Sequence, residues 1–414
     1  MKSKKLNEMR AFELTAEFFA ALNLRGKRVL VVIPDNTRSA PIGMMFRIVC
    51  RLLLPEVKQL DFMIALGTHP PLNGAAIYRR VGISREEHQR KYSRVRFFNH
   101  QWDAPRQLRE IGTISRSEVE EISQGMISRK VRVSINKAVF DYDTLLIIGP
   151  VFPHEVVGFS GGNKYLFPGI SGPEIIDMFH WLGALITSPR IIGRKETPVR
   201  AIIDRAAGMV PVQRLCISLV VRGKNLYGLF TGAPETAWER AADLSQRLNI
   251  IYKNHPYRSV LSEAPSMYED IWTGGKCAYK LEPVVADGGE LIIYAPHIKE
   301  ISITHGKIIE TIGYHTRDYF LKQMDRFKNI PGGILAHSTH VKGLGTFVDG
   351  VEQPRIEVIL ATKIPPEKCR QINLGYRDPD SVRPEEWQQK EDRGRLFVPH
   401  AGEILYRLKN DPFI

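Results

Sequence analysis

Residues 143–186 read DTLLIIGPVFPHEVVGFSGGNKYLFPGISGPEIIDMFHWLGALI. The opening DTLLIIGPVF (143–152) is a strand-like apolar run. The closing PEIIDMFHWLGALI (173–186) sets Ile176, Phe179, Gly183 and Ile186 roughly on one helical face, and Pro173 suits a first helical position. A glycine-rich loop joins them. Strand, loop and helix in this order are the building unit of layered α/β proteins.

The pattern repeats outward. RVLVVIP (28–34), LDFMIALGTH (60–69), RVRFFNH (94–100) and KVRVSI (130–135) read as strands, and FRIVCRLLLPEVKQ precedes the second of them as a helix. Downstream come a helix PVRAIIDRAAGMV, strands at 215–222 and 225–230, and a strong helix APETAWERAADLSQRL. After about residue 255 the pattern restarts with SVLSEAP, a Lys/Gly-containing helix, ELIIYAP, GILAHSTH and RIEVILATKIP. DPDSVRPEEW (378–387) reads as a surface loop. The expectation is two α/β domains, 1–255 and 256–414, without internal repeats.

The chain has 414 residues, 43% hydrophobic and 25% charged. These values exclude wholesale disorder, collagen and coiled coil. No apolar run approaches the roughly 18 residues of a membrane span. Glu8, Glu13 and Glu17 interrupt the basic N-terminal stretch, which reads as an amphipathic helix and not a signal peptide. Cys50, Cys216, Cys277 and Cys369 form no CxxC pair and fit free thiols in a reducing cytoplasm. The net charge of +13 favours anionic ligands. It is scattered through short clusters such as RGKR (25–28) and RKVR (129–132), so no nucleic-acid stripe is expected.

Polar residues gather at three strand ends: Asp35–Arg38, Thr68–His69 and His154. Ligands of open α/β sheets sit beyond such ends. The densest polar segment is 153–180, with His154, Ser160-Gly161-Gly162, Lys164 and His180. A Walker A loop fails because Asn163 follows Gly162 and Tyr165 follows Lys164; a zincin fails because position 158 is glycine. Backbone N–H groups of the Ser-Gly-Gly stretch can still face an anion. Arg38 offers a fork for a carboxylate, and His69, in a Gly/Pro-bounded turn, suits proton transfer. Taken singly, each has a plain structural reading as a turn, a loop lysine or a helix histidine. The combination in order is what narrows the choice.

That ordered set, D-x-T-R, G-T-H, P-H-x-x-x-G-F-S-G-G-x-K-x-x-x-P-G and a downstream His, resembles the nickel-pincer lactate racemase family over residues 33–180. A second patch, W-T-G-G-K followed by A-D-G-G within 272–289, is similar to the family's substrate-binding helix. The resemblance implies two α/β domains with an active site in the cleft between them. It implies a nickel-pincer nucleotide (pyridinium-3,5-bisthiocarboxylic acid mononucleotide) linked to Lys164 in the Ser160-Gly161-Gly162 loop, with His180 as nickel ligand. His69 and His154 would be the acid/base pair on opposite faces of the substrate. Arg38 and Lys276 would hold its carboxylate, with Thr273, Trp272 and Asp35 beside them. The implied reaction is racemisation or epimerisation of a small α-hydroxy acid by reversible hydride transfer. Cofactor-biosynthesis enzymes would be the protein partners. Thr273 stands where the family carries Gln, Asn36 where His is common, and Asn163 where Arg or Ala is usual. The substrate side is thus altered, and a hydroxy acid other than lactate is expected. A metal-dependent hydrolase or lyase using the same histidines without the pincer is the alternative.

Overall fold

The computed structural model describes residues 4–413. They form two compact units. One holds the chain up to Phe152, Phe159–Ile176 and Arg200–Leu248; the other holds Pro153–Gly158, Asp177–Val199 and the chain from Asn249 onward. The expected division at 255/256 was a single cut. Instead, two short segments of the earlier sequence, carrying His154 and His180, belong with the later unit.

The first unit is built on a six-stranded sheet. Its order is Asn225–Gly232, Gln213–Arg222, Thr144–Pro150, Arg28–Pro34, Gln59–Ala65 and Phe97–Asn99; only the first of these runs antiparallel. RVLVVIP is a continuous apolar run because a central parallel strand is covered on both faces, and Val29–Ile33 are indeed buried. The helix Ile42–Leu53 covers one face with Met45, Phe46, Val49 and Leu53, its Phe46 ring 5.0 Å from that of Phe62. From Arg28–Pro34 the order steps outward to Phe97–Asn99, then Thr144–Pro150 returns to the opposite side of Arg28–Pro34. That reversal is a topological switch point, which opens a crevice at the carboxyl ends of the two strands.

Buried His100 gives this unit a pH signature. Its Nε2 lies 2.9 Å from the Ser171 carbonyl, and the Asn136 amide donates to Nδ1 at 3.2 Å, which suits a neutral ring. Burial lowers its pKa to about 4. The unfolded chain therefore takes up this proton first as pH falls, so the contribution to stability is full above about 6.5 and lost towards 4, roughly 3 kcal/mol in all. Urea midpoints at pH 7 and pH 5 are expected to differ less in His100→Asn than in the unsubstituted chain.

The second unit holds a five-stranded sheet, all parallel: Gly375–Tyr376, Glu357–Thr362, Val285–Ala295, Tyr257–Glu263 and Arg395–Val398. GILAHSTH lies in the helix Gly332–Lys342, whose residues from Ile334 on are all buried. Asp177 accepts from the Gly333 N–H at 3.0 Å, at the start of that helix. A Cβ at Gly332 would lie 2.4 Å from the Asp177 carbonyl oxygen, so only glycine lets the two segments approach. Among the described residues no helix is long and apolar enough to cross a membrane.

Candidate functional site

In the first unit the chain leaves strand Arg28–Pro34 through Asp35, which is 5% exposed. One carboxylate oxygen accepts from the Thr37 N–H (3.0 Å) and hydroxyl (2.8 Å), folding the loop back on itself. The other lies 2.5 Å from His69 Nδ1. A carboxylate at that distance places the ring proton on Nδ1 and leaves Nε2 with its lone pair outward, the tautomer that accepts a proton. Arg80, from the helix Gly74–Val81, donates to the carbonyls of Pro34 (3.0 Å) and Arg38 (3.2 Å). It thus clamps both ends of the loop that carries Asp35 and Arg38.

The glycine-rich loop follows strand Thr144–Pro150. Gly67, beside His69, donates to the Gly169 carbonyl at 3.0 Å, so the GTH turn and this loop are tied together. The Tyr165 ring occupies the space where a Cβ at Gly149 would stand. Burial raises the Tyr165 phenol, which feels Arg38, Arg80 and Asp35 electrostatically. Lys164, half-buried, sits in the short turn Gly162–Tyr165. Asp35, Arg38, His69 and the Lys164 loop therefore gather at the carboxyl ends of the sheet.

The loop's carbonyls are taken from one side. Arg200 donates to those of Phe159 (2.5 Å) and Gly161 (3.4 Å), and Trp238 Nε1 to that of Ser160 (2.9 Å). In a trans peptide the next N–H points the opposite way, so the N–H groups of Gly161 and Gly162 turn away from Arg200 and Trp238. Two consecutive N–H groups so aimed are suited to an anion. The Arg200 guanidinium lies 4.1 Å from the Trp238 ring centroid, and burial lowers its pKa to about 10. Asn163 donates to Asp204 (2.9 Å) and Glu235 (2.8 Å) and accepts from Arg214 (2.9 Å). Asn163, itself buried, is thus the centre of a part-buried polar network. Trp238→Ala is expected to cost about 3–5 kcal/mol, read as a shifted denaturant midpoint, because it empties the space under the loop.

The second unit carries the remaining residues. Asp270 caps the helix Ile271–Gly274, accepting the Thr273 N–H (3.0 Å) and hydroxyl (2.8 Å). The Thr273 proton is therefore committed, leaving its oxygen only as an acceptor. Lys276, 6% exposed, holds its ammonium 4.7 Å from the Tyr268 ring centroid. The Trp272 ring centroid is 4.5 Å from that of His305 and 4.3 Å from that of His337. His337 Nε2 is 3.2 Å from the Tyr314 hydroxyl. Burial first, then His340, His305 and His180, press the His337 pKa well below its usual value, so it is neutral. His180 stacks on Phe179 at 4.5 Å. His154 is 5% exposed; its Nδ1 accepts the Val156 N–H at 3.2 Å and lies 3.3 Å from a Glu155 oxygen. Among the described residues no three His, Cys, Asp or Glu side chains gather as a metal cluster.

Arg80, Arg200, Trp238 and His337 were missing from the sequence expectation. None lies in a motif. Only Trp238, on an otherwise polar-faced helix, carried any local signal.

The family described as lactate racemase N-terminal domain matches residues 13–191. A lactate racemase of Lactiplantibacillus plantarum is 24% identical over 236 residues, 55% of this chain and 50% of that protein. One of Thermoanaerobacterium thermosaccharolyticum is 27% identical over 284 residues, 65% of this chain and 60% of that protein. The matched stretches thus span only about half to three fifths of these relatives. A crystal structure of a Thermotoga maritima protein superposes with a TM-score of 0.91 at 33% identity, covering 99% of this chain and 100% of that one. The lactate racemase apoprotein of T. thermosaccharolyticum superposes with a TM-score of 0.71 at 17% identity, covering 97% and 93%, and shares the fold.

Proposed function

Since the chain belongs to the lactate racemase family, we propose that it is a racemase or epimerase of an α-hydroxy acid other than lactate. The observation that carries this is the Asp35–His69 pair at 2.5 Å, gathered with Arg38 and the Lys164 loop at the carboxyl ends of the sheet. His69 takes the hydroxyl proton of one enantiomer, and His154 that of the other. Arg38 and Lys276 hold the carboxylate, the former as a planar fork.

The donors of this chain fit a nickel-pincer nucleotide. Lys164 would carry it covalently, the Gly161 and Gly162 N–H groups would face its anionic end, and His180 would supply one imidazole to nickel, a ligand that suits this metal. When bound, the pincer supplies the acceptor for the α-hydrogen, whose removal as a bare proton would be costly. Asp35 keeps His69 in its accepting tautomer, while Lys276 keeps positive charge near the carboxylate. The alternative, a hydrolase built on the same histidines, would need about three protein ligands to its metal and would carry no adduct on Lys164.

We place the protein in the cytoplasm, where its four cysteines, all free and buried, remain reduced. Its partners there would be the hydroxy acid and the enzymes that build the cofactor. Intact mass and nickel content of protein from cofactor-competent cells test the assignment. An increment on Lys164 with about one nickel per chain, the content that one His180 ligand implies, supports it. Lack of both refutes it. A panel of chiral hydroxy acids then tests the substrate: a preference for lactate over longer or polyhydroxylated acids would overturn that part.

A further inference from the structure

We propose that Glu155 is a positioning residue that sets the tautomer of His154, and so decides whether that histidine can accept a proton. The inference rests on the acid/base role given to His154 above. Two groups compete at one atom. The Val156 N–H donates to His154 Nδ1 at 3.2 Å, and a Glu155 carboxylate oxygen lies 3.3 Å from the same nitrogen. They ask for opposite protonation. The amide needs a lone pair on Nδ1, which puts the ring proton on Nε2. The carboxylate needs a proton on Nδ1, which leaves the Nε2 lone pair to accept another.

Nδ1 is engaged by its own loop, so exchange with substrate falls to Nε2. A neutral ring held by the Val156 amide carries its proton on Nε2 and cannot accept a second there. A ring held by Glu155 can. Once Nε2 is protonated, the imidazolium keeps Nδ1–H on Glu155 and can return the proton from Nε2. Glu155 therefore favours both working states, and the amide favours the parked one. His69 differs, because Asp35 at 2.5 Å fixes its accepting tautomer.

The setting suits a tuned carboxylate. The His154 and Glu155 side chains are only 6% and 13% exposed. Lys280, itself buried, donates to the Pro153 carbonyl next to them. His340, held neutral by burial, also feels Glu155.

The test is ring-15N histidine NMR on the full chain without cofactor, with His154 assigned as the signal lost in His154→Asn. Unsubstituted protein is expected to hold a substantial share of the Nδ1–H form. Glu155→Gln is expected to move His154 to the Nε2–H form, and Glu155→Asp to restore part of the Nδ1–H form. In loaded enzyme Glu155→Gln would lower kcat about 10- to 100-fold, within the range of proton-transfer effects. KM would stay nearly constant, because Arg38 and Lys276 still hold the carboxylate. A His154 tautomer indifferent to residue 155 overturns the proposal, even if activity falls. A tautomer that follows residue 155 upholds it. If the loaded chain then racemises no hydroxy acid, the proposed function fails and the tautomer coupling stands.

Discussion

Lys164→Ala protein from cells that build the pincer cofactor is expected to lack the covalent adduct and to lose activity altogether, at least about 10⁶-fold given the usual scale of enzymatic acceleration. No other residue is expected to remove mass and activity together. His180→Ala is the informative contrast. It takes away the imidazole but leaves Lys164 and its loop in place, so the adduct is retained and nickel is lost. The Lys164 loop is held through Arg200, Trp238 and the Asn163 network, none of which uses the Lys164 amine. The denaturation midpoint of the alanine variant, measured beside that of the parent, separates loss of chemistry from loss of fold. An adduct persisting on Lys164→Ala would reassign the attachment site.

The second large effect is at His69. His69→Ala is expected to keep adduct and nickel while turnover falls about 10²–10⁴-fold, the usual worth of a positioned acid/base group. Asp35→Asn tests the tautomer argument directly. An amide in place of the carboxylate can donate to Nδ1 instead of accepting from it, which moves the ring proton to Nε2 and blocks proton uptake. A kcat loss approaching that of His69→Ala, with KM little changed because Arg38 remains, is the expected pattern. Normal racemisation by His69→Ala would remove this histidine from the mechanism.

The parallel strands were legible because burial on both faces writes them as unbroken apolar runs. RVLVVIP and DTLLIIGPVF need no context to be read. Helix Pro173–Ile186 was equally plain, with a proline at its start and apolar spacing along one face. Strand Leu108–Ile114 was not read, for it is only partly buried, carries charge and has a bulge between Glu110 and Gly112. Ser-Gly-Gly was read as a loop able to face an anion. What aims it, Arg200 and Trp238, lies tens of residues away, and a side chain that grips a distant carbonyl leaves no periodic trace. Asn163 stood out as a departure; its three polar partners explain how the chain accommodates it. The grouping of Trp272 with His305 and His337 was invisible for the same reason, since three segments supply it.

The interleaving of the two units bears on how such a chain can be inherited. Segments 153–158 and 177–199 belong to the later unit though the earlier unit's sequence surrounds them. A gene fragment ending near residue 255 would encode one unit together with two orphaned pieces of the other. Recombination there would part His154 and His180 from the core against which they are packed. The family-matched stretch 13–191 is cut the same way, taking the first piece and part of the second without the sheet that completes their unit. Such a chain cannot be assembled by shuffling its halves, so its lineage is expected to have diversified by point substitution within an intact frame.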